Sequence, residues 1–396
     1  MNILKRNLLF VISLPLVFSC GNNSKSENSL DQASSYKLEI VDSVQVDILG
    51  SGLSLVDVHS ETGDLLVIQP NPPKLWVLSQ EGEVKQTWSK TGDGPDEIGS
   101  VLLSAEFFGE DVAMMGRMVV KIFDHDFKAK GSFRPDFSPS SMAYAGFNHL
   151  QEFKEEGSSQ LITFFGKPQT NKHWDTPEYY YEYNTVDKLD PSKPLKGNFK
   201  PLGKLEKDSR FIVSGRSYYY IKPTFDIKGN SLIYAYNWDT VLYKRSLPNG
   251  ELISSTPIPF DEFYLDKGWT MGKARQEMNS GNVAPRDKSG SVERVFQSNG
   301  FDVVFYRSGL TLETLQSITL DGIERFREEL RLDYSKYLIL KEGKRLNSDL
   351  KMIERSLLPS VADNEGNLWT VQNVNALEEE PDLITFYKLK IVPDEN

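Results

Sequence analysis

The sequence has one cysteine, four histidines, no excess of positive charge, and no long apolar run beyond its first twenty residues. A single cysteine excludes a disulfide framework and a cysteine-built zinc site. The histidines, His59, His125, His149 and His173, never fall four apart with an intervening glutamate, so no helix presents two imidazoles to zinc. Neither a Gly-x-Ser-x-Gly elbow nor a Gly-x-x-x-x-Gly-Lys phosphate loop occurs, which argues against covalent hydrolase chemistry and NTP hydrolysis. With 45 Lys+Arg against 56 Asp+Glu, the net charge of −11 makes nucleic acid an unsuitable partner. Twenty-eight Gly and 20 Pro are too few for a collagen-like or low-complexity chain. What is present is core material: 22 Phe, 17 Tyr and 6 Trp in 396 residues.

Residues 1–20 read MNILKRNLLFVISLPLVFSC, a short positive head at Lys5 and Arg6 followed by an apolar run too short to span a bilayer in a mature protein. This is the pattern of an export signal. Its end, Val17-Phe18-Ser19-Cys20, resembles the lipobox of bacterial lipoproteins, in which the cysteine thiol is alkylated by a diacylglyceryl group and becomes the mature N-terminus. A plain secretory signal with a chance cysteine is the alternative. The resemblance implies lipidation at Cys20 and an outer-membrane lipoprotein facing the periplasm or the cell surface, since several acyl chains together hold a soluble domain on a membrane. Residues 21–35 are small and polar, the composition of a tether, so the expected division is signal 1–19, tether 20–35 and a single folded domain 36–396. Removal of residues 1–19 takes Lys5 and Arg6 and no acid, leaving 43 bases against 56 acids and a net charge of −13.

Beyond the tether, short apolar runs recur between turn signals. The clearest unit covers 65–88, where DLLVIQ, KLWVLS and VKQTWS are separated by Asn71-Pro72-Pro73 and by Gln80-Glu81-Gly82-Glu83. A second unit spans 232–258 with Asn249-Gly250 between its last strands, a third 111–133, and a fourth 363–392. LITFF at 161–165 with YYYEYNTV at 179–186, and VVFYR at 303–307, read as degenerate copies. The spacing of about 45 to 60 residues gives six or seven units. Strands without alternating long helices predict an all-β fold, and a ring of blades covers the faces that no blade can cover alone. The expected architecture is a six-bladed β-propeller, with seven blades as the alternative. Apolar spacing at Ile323, Phe326 and Leu330, and at Leu350, Ile353 and Leu357, predicts two short helical insertions in the C-terminal third, while 261–300 reads as a long loop with room for a turn or two of helix.

The lipobox, the Asp-x-x-Gly-Asn-Leu-Trp opening at 363–369, and Thr91-Gly92-Asp93-Gly94-Pro95-Asp96-Glu97 together resemble the six-bladed propeller lipoproteins of Bacteroidota, a TolB/NHL-like group. Those proteins carry Gly-x-Gly-Pro-Gly-Glu after a blade strand, and this chain has Asp96 in place of the third glycine. The resemblance implies a fold and an exported location, and no catalytic residue or cofactor.

Asp93, Asp96 and Glu97 offer the oxygen-rich chemistry that calcium prefers but lack the alternating spacing of a calcium loop, so a solvated acidic turn is the favoured reading. His173 with Asp175 is the nearest thing to a metal-ligand pair. Any small-molecule site belongs at the mouth of the central channel, where aromatic faces and charged groups suit a glycan or a carboxylate. The candidates are Arg216 and Tyr219 at the opening of the fourth blade, Trp238 and Asp239 in its inter-strand loop, and Arg307 in the fifth. Each also reads as a strand former, a packing ring or a rim charge. The expected function is a lipid-anchored envelope module that binds a protein, peptide or glycan. An envelope glycosidase or lyase with carboxylates drawn from separate blades is the alternative, and a scaffold subunit of an outer-membrane complex a third reading.

Overall fold

The structure is a computed structural model that describes residues 35–117, 119–135, 150–165, 170–193, 198–280, 285–348, 350–377 and 381–395. Cys20, the signal, the tether up to residue 34 and His149 lie outside the described residues. Six four-stranded antiparallel sheets follow one another along the chain. This is a six-bladed β-propeller.

The inner strands, one per blade, are Ser54–Val58, Leu102–Phe108, Leu150–Glu155, Pro223–Lys228, Lys288–Ser298 and Val361–Ala362. Blades 1 to 5 end on the outer strands Val84–Trp88, Ala129–Phe133, Phe199–Lys204, Leu252–Pro257 and Lys344–Arg345. Blade 6 differs. Its first three strands come from the C-terminal end, and its outer strand is Tyr36–Val46, paired antiparallel with Ile384–Pro393 from Tyr36↔Pro393 to Val46↔Ile384.

Six apolar cores occupy the six blade interfaces. The second strand of blade 1 shows how: Leu66 and Ile68 pack toward blade 2 with Leu102, Val112 and Met114, while Leu65 and Val67 pack toward blade 6 with Val361, Trp369 and Phe386. Alternate residues of a strand point to opposite faces. Because both faces are covered, all five residues of Leu65–Gln69 are buried, which is why the middle strands read as continuous apolar runs. Outer strands face water, and Val84 to Thr87 are exposed. The interface of blades 3 and 4 is filled by tyrosines, among them Tyr180, Tyr183, Tyr234 and Tyr236, each at most 1 % exposed.

Three local expectations are corrected. Tyr179–Glu182 forms a helix, α1 (Pro177–Glu182), and the strand begins only at Asn184; Pro177 starts the helix, and Tyr179 and Tyr180 are buried in the tyrosine core. Segment 261–300 holds the short helix allowed for there, α3 (Ala274–Asn279), which follows α2 (Arg210–Val213) in the chain, but it is not otherwise a loop: it contains the 11-residue inner strand of blade 5. The apolar spacing at Ile323, Phe326 and Leu330 is a helix, α5 (Gly322–Leu332), preceded by α4 (Leu312–Ser317). Leu350 to Leu357 is not helical, because this stretch runs along blade 5, where Leu350 O accepts from Tyr337 N and Met352 N donates to Ser335 O.

The segment 91–97 is built around Glu97, whose Oε2 accepts from Gly94 N at 2.6 Å. A Cβ at Gly92, which has φ +138°, or at Gly94 would collide with that carboxylate. Asp96 needs no positive φ. Its Oδ1 accepts from Ala129 N at 3.0 Å, tying the turn to the outer strand of blade 2; that bond, with Lys128, holds its carboxyl below the usual range. Beneath the turn, Lys121 is buried and its Nζ donates to Gly94 O (2.8 Å) and Pro95 O (3.0 Å). Replacing Lys121 by Met strands both carbonyls, so K121M is expected to lose about 1–3 kcal/mol of stability. Urea denaturation of both proteins checks this, and coincident midpoints would show the contact to be dispensable.

Candidate functional site

In a ring of antiparallel meanders, the turns after every first and third strand share one face, and all other connections share the opposite face. On the first, the turn face, connections are short, such as 109–110, 229–230, 299–300 and 342–343. On the second, the insertion face, lie the five α-helices of the described residues and the long connections 205–222 and 258–280.

The inner strands enclose an axial cavity of about 450 Å³. Its lining includes His59, Ser60 and Glu61, Gly109 and Glu110, and Asn364, all in turns between first and second strands, so the cavity opens on the turn face. Six acids (Asp57, Glu61, Glu106, Glu110, Glu152 and Asp226) line it against two bases, Lys154 and Arg294.

The buried acids of this wall join neighbouring blades. Asp57 Oδ2 accepts from Phe107 N of blade 2 at 2.7 Å, with Oδ1 on its own Val58 N. Glu106 Oε1 accepts from Glu152 N of blade 3 at 2.9 Å. Asp226 takes Gln297 N of blade 5 on Oδ2 at 2.8 Å and Gln151 Nε2 of blade 3 on Oδ1 at 3.1 Å. Between blades 6 and 1 the role passes to Ser360, whose Oγ donates to Leu55 O at 2.6 Å. Bulges in the inner strands of blades 1 and 5, at Leu55/Asp57 and Val292/Arg294, shift the phase of the strand next to Asp57 and Arg294.

Burial dominates the electrostatics. It pushes Asp57 up to about 7 and Asp226 up to about 6, against the opposing bonds from Phe107 N and Gln297 N. Glu106 stands well above the carboxylate range, first through burial and then through the Asp57 charge. Toward the insertion face the sign reverses. Arg294, three residues nearer that face than Gln297, is lowered to about 10 by burial, and Lys222 is lowered to about 7 by burial and by Arg294. At its open end the cavity carries more acids than bases, with Lys154 among them, and its far end is basic.

The residues singled out from the sequence lie elsewhere, and none lines the axial cavity. Arg216 edges a cleft on the insertion face and donates from Nε to Lys267 O (3.1 Å) and from Nη2 to Gly268 O (3.3 Å). Trp238 is half-buried against the tyrosine core, and its carbonyl accepts from Arg210 of the same cleft. Tyr219 is exposed and packs edge-to-face on Trp174 at 5.2 Å. Asp239 is 2 % exposed and accepts from Thr240 N and Tyr243 Oη; burial raises its pKa. Arg307 pairs with Glu293 at 3.3 Å, beside Arg294. Of the five, Arg216 lines the same cleft as Arg210, which bonds the Trp238 carbonyl, and the rest are separate. Asp175 accepts from Ser217 Oγ, Gly272 N and Ala274 N, a structural duty at the start of α3. Among the described residues no group of three or more His, Cys, Asp or Glu side chains is placed to hold a metal ion.

Sequence reasoning passed over Asp57, Glu106, Glu152, Asp226 and Arg294. One signal was available: Asp57-Val58, Glu106-Phe107 and Asp226-Ile227 each set an acid inside an apolar run just before a turn.

No protein-family model matches the sequence, and no curated protein matches it. Solved structures do match the fold. A member of the DUF4221 family from Bacteroides vulgatus superposes with a TM-score of 0.59 at 9% identity, covering 92% of this chain and 100% of that one. A Bacteroides fragilis protein named as a candidate for export gives a TM-score of 0.56 at 12% identity, covering 90% of this chain and 95% of that one. Identities this low establish a shared fold alone. No helix among the described residues is long and apolar enough to cross a membrane.

Proposed function

We propose that this chain is an exported propeller, anchored by lipid on Cys20 to the outer membrane, that works as a binding module for a protein, peptide or glycan through its axial cavity. One observation carries the binding reading: the walls are rigid and already bonded. Asp57 and Asp226 each have both carboxylate oxygens engaged, Asp226 with two neighbouring blades and Asp57 with blade 2 and its own Val58 N, which preorganises a receptor and leaves them ill-suited to act as nucleophiles. The bacterial neighbours, one of them named for export, support the location. The anchoring is tested by fractionation: the wild-type chain is expected in the membrane pellet and Cys20→Ser in the soluble fraction, and a Cys20→Ser protein that still pellets would overturn the anchor.

An enzymatic reading has its own support. Glu106, whose carboxyl holds its proton well above the usual range, and the neighbouring Asp57 resemble the acid member of a glycosidase pair. Incubating the protein with a panel of envelope and host glycans separates the two: binding without new reducing ends fits the module, and product formation lost in E106Q fits the enzyme.

A further inference from the structure

We infer that the axial cavity takes an organic cation, an alkylammonium or guanidinium group that enters from the turn face and is held by hydrogen bonds to the acids of blades 1 to 3. The inference rests on the reading of the cavity as a binding site and names what it binds.

Charge is the first reason. Six acids against two bases line the space: Lys154 stands at the turn-face end of its strand, near Glu61 and Glu110 at the mouth, and Arg294 lies toward the insertion face, next to Lys222. A cation entering from the turn face passes a mouth where Glu61 and Glu110 outnumber Lys154, then meets the buried acids, and is stopped by positive charge at the far end, so the cavity is a dead end for it. Low-dielectric walls concentrate the field in such a cleft and raise the local concentration of the opposite charge.

Hydrogen bonding is the second and independent reason. Ser104 is 4 % exposed, stands two residues from Glu106 on the same face of the strand, and lines the cavity; its hydroxyl has no hydrogen-bond partner among the described residues. Gln151 Oε1 and Glu152 Oε1, on the neighbouring strand of the same wall, are wholly screened from solvent and lack a donor. Buried polar groups without partners are costly; an occupant carrying several N–H groups satisfies the Ser104 hydroxyl directly, and Gln151 Oε1 and Glu152 Oε1 once their side chains rotate toward it.

The same facts disfavour a bare metal ion. Asp57 and Asp226 have spent both oxygens on amides, and among the described residues no group of three His, Cys, Asp or Glu side chains is placed to hold a metal ion. An ammonium can share those oxygens through their remaining lone pairs without displacing the amides. At about 450 Å³ the space suits one basic side chain or a short diamine.

The test is isothermal titration of the full chain at pH 8 with 1,5-diaminopentane, tetralysine, calcium chloride and a neutral oligosaccharide. Glu152→Gln is the principal variant, since the Glu152 side chain makes no bond that joins blades. Both amines are expected to bind, with Glu152→Gln weakening them tenfold or more and with calcium giving no comparable heat. Tighter binding of tetralysine than of the diamine assigns the cation to a basic segment of a partner protein, and the reverse order assigns it to a free amine. Amines that fail to bind, or that bind Glu152→Gln as well as wild type, overturn the inference. If the neutral oligosaccharide then binds and Glu152→Gln removes it, the cavity survives as a site for another ligand class. Should no probe respond to the variant, the binding-site reading falls as well. A thermal melt of Glu152→Gln that matches wild type shows that the variant is folded.

Discussion

A chain lacking Tyr36–Val46 is expected to fail to form a stable ring. This strand is the only part of blade 6 contributed by the N-terminal side, and its pairing with Ile384–Pro393 closes the circle between the two ends of the domain. Without it, blade 6 keeps three strands and exposes the edge of Ile384–Pro393, a ready template for aggregation. Leu38, Val44 and Val46 leave the cores they share with blades 5, 6 and 1. Each buried side chain is worth about 1.5–3 kcal/mol, and each ladder hydrogen bond adds roughly 0.5–1.5 kcal/mol. Together these losses are on the order of the whole stability of a domain, about 5–15 kcal/mol. The contacts of Tyr36, whose amide donates to Leu346 O and whose ring packs on Phe301, are lost as well. Limited proteolysis and thermal melting read the result. A truncated protein that melts cooperatively within a few degrees of the full chain would show that the ring holds by blade packing alone.

The second large effect concerns pH and Glu106. A carboxyl whose folded pKa lies above its unfolded value keeps its proton in the fold after the unfolded chain has released it. Its contribution is therefore most favourable at low pH and is lost as pH rises through the window between the two values. For Asp57 that window runs from 3.8 to about 7, and for Asp226 from 3.8 to about 6; Glu106 adds a loss of the same sign. Lys222, lowered to about 7, acts in the opposite sense only above that pH. Asp96, whose pKa is lowered, changes its contribution only below the usual carboxylate range. Stability should thus fall steadily from pH 5 to pH 7, by up to about 1.4 kcal/mol per pH unit for each carboxyl still titrating.

Glu106→Gln removes one buried acid while keeping an oxygen that can accept from Glu152 N. It also removes from that position an acid that the Asp57 charge disfavours. The variant is expected to be more stable than wild type at pH 7, by about 1–3 kcal/mol, and to show a shallower pH dependence. Urea titrations at pH 5, 6 and 7 measure both quantities. Parallel pH curves for the two proteins would mean that Glu106 is not held proton-bearing by its surroundings. A protein that retains destabilising buried acids where an amide would be firmer fits a cavity kept for a ligand rather than for folding.

How far the sequence reveals this molecule depends on the strand. The second and third strands of each blade lie between two neighbours, so their residues are apolar on both faces; LLVIQ and KLWVL in blade 1, or SLIYAY in blade 4, stand out in any window. The units visible in the sequence at 65–88, 111–133 and 232–258 each consist of the second, third and outer strands of a blade. The inner strands escape because one edge looks into a polar cavity. Lys288–Ser298 mixes charge, glycine and aromatic residues, and so reads as a loop. The segments that carry the site are the ones whose pattern is least regular.

The sequence alone determined that strands dominate, that they come in repeating groups, and that the count is near six, because packing both faces of a middle strand leaves a local apolar signature. It also held the export pattern and Cys20, which are linear by nature. Only the tertiary structure decided that the first strand completes the last blade, that Tyr179–Glu182 is helical, and that Asp57, Glu106, Glu152 and Asp226 face one cavity. Those four acids come from four blades, and no local pattern encodes a meeting that exists only when the circle closes. Arg216, Tyr219 and Trp238 drew notice as conspicuous residues near turns, whereas the acids of the axis were hidden singly inside ordinary apolar runs.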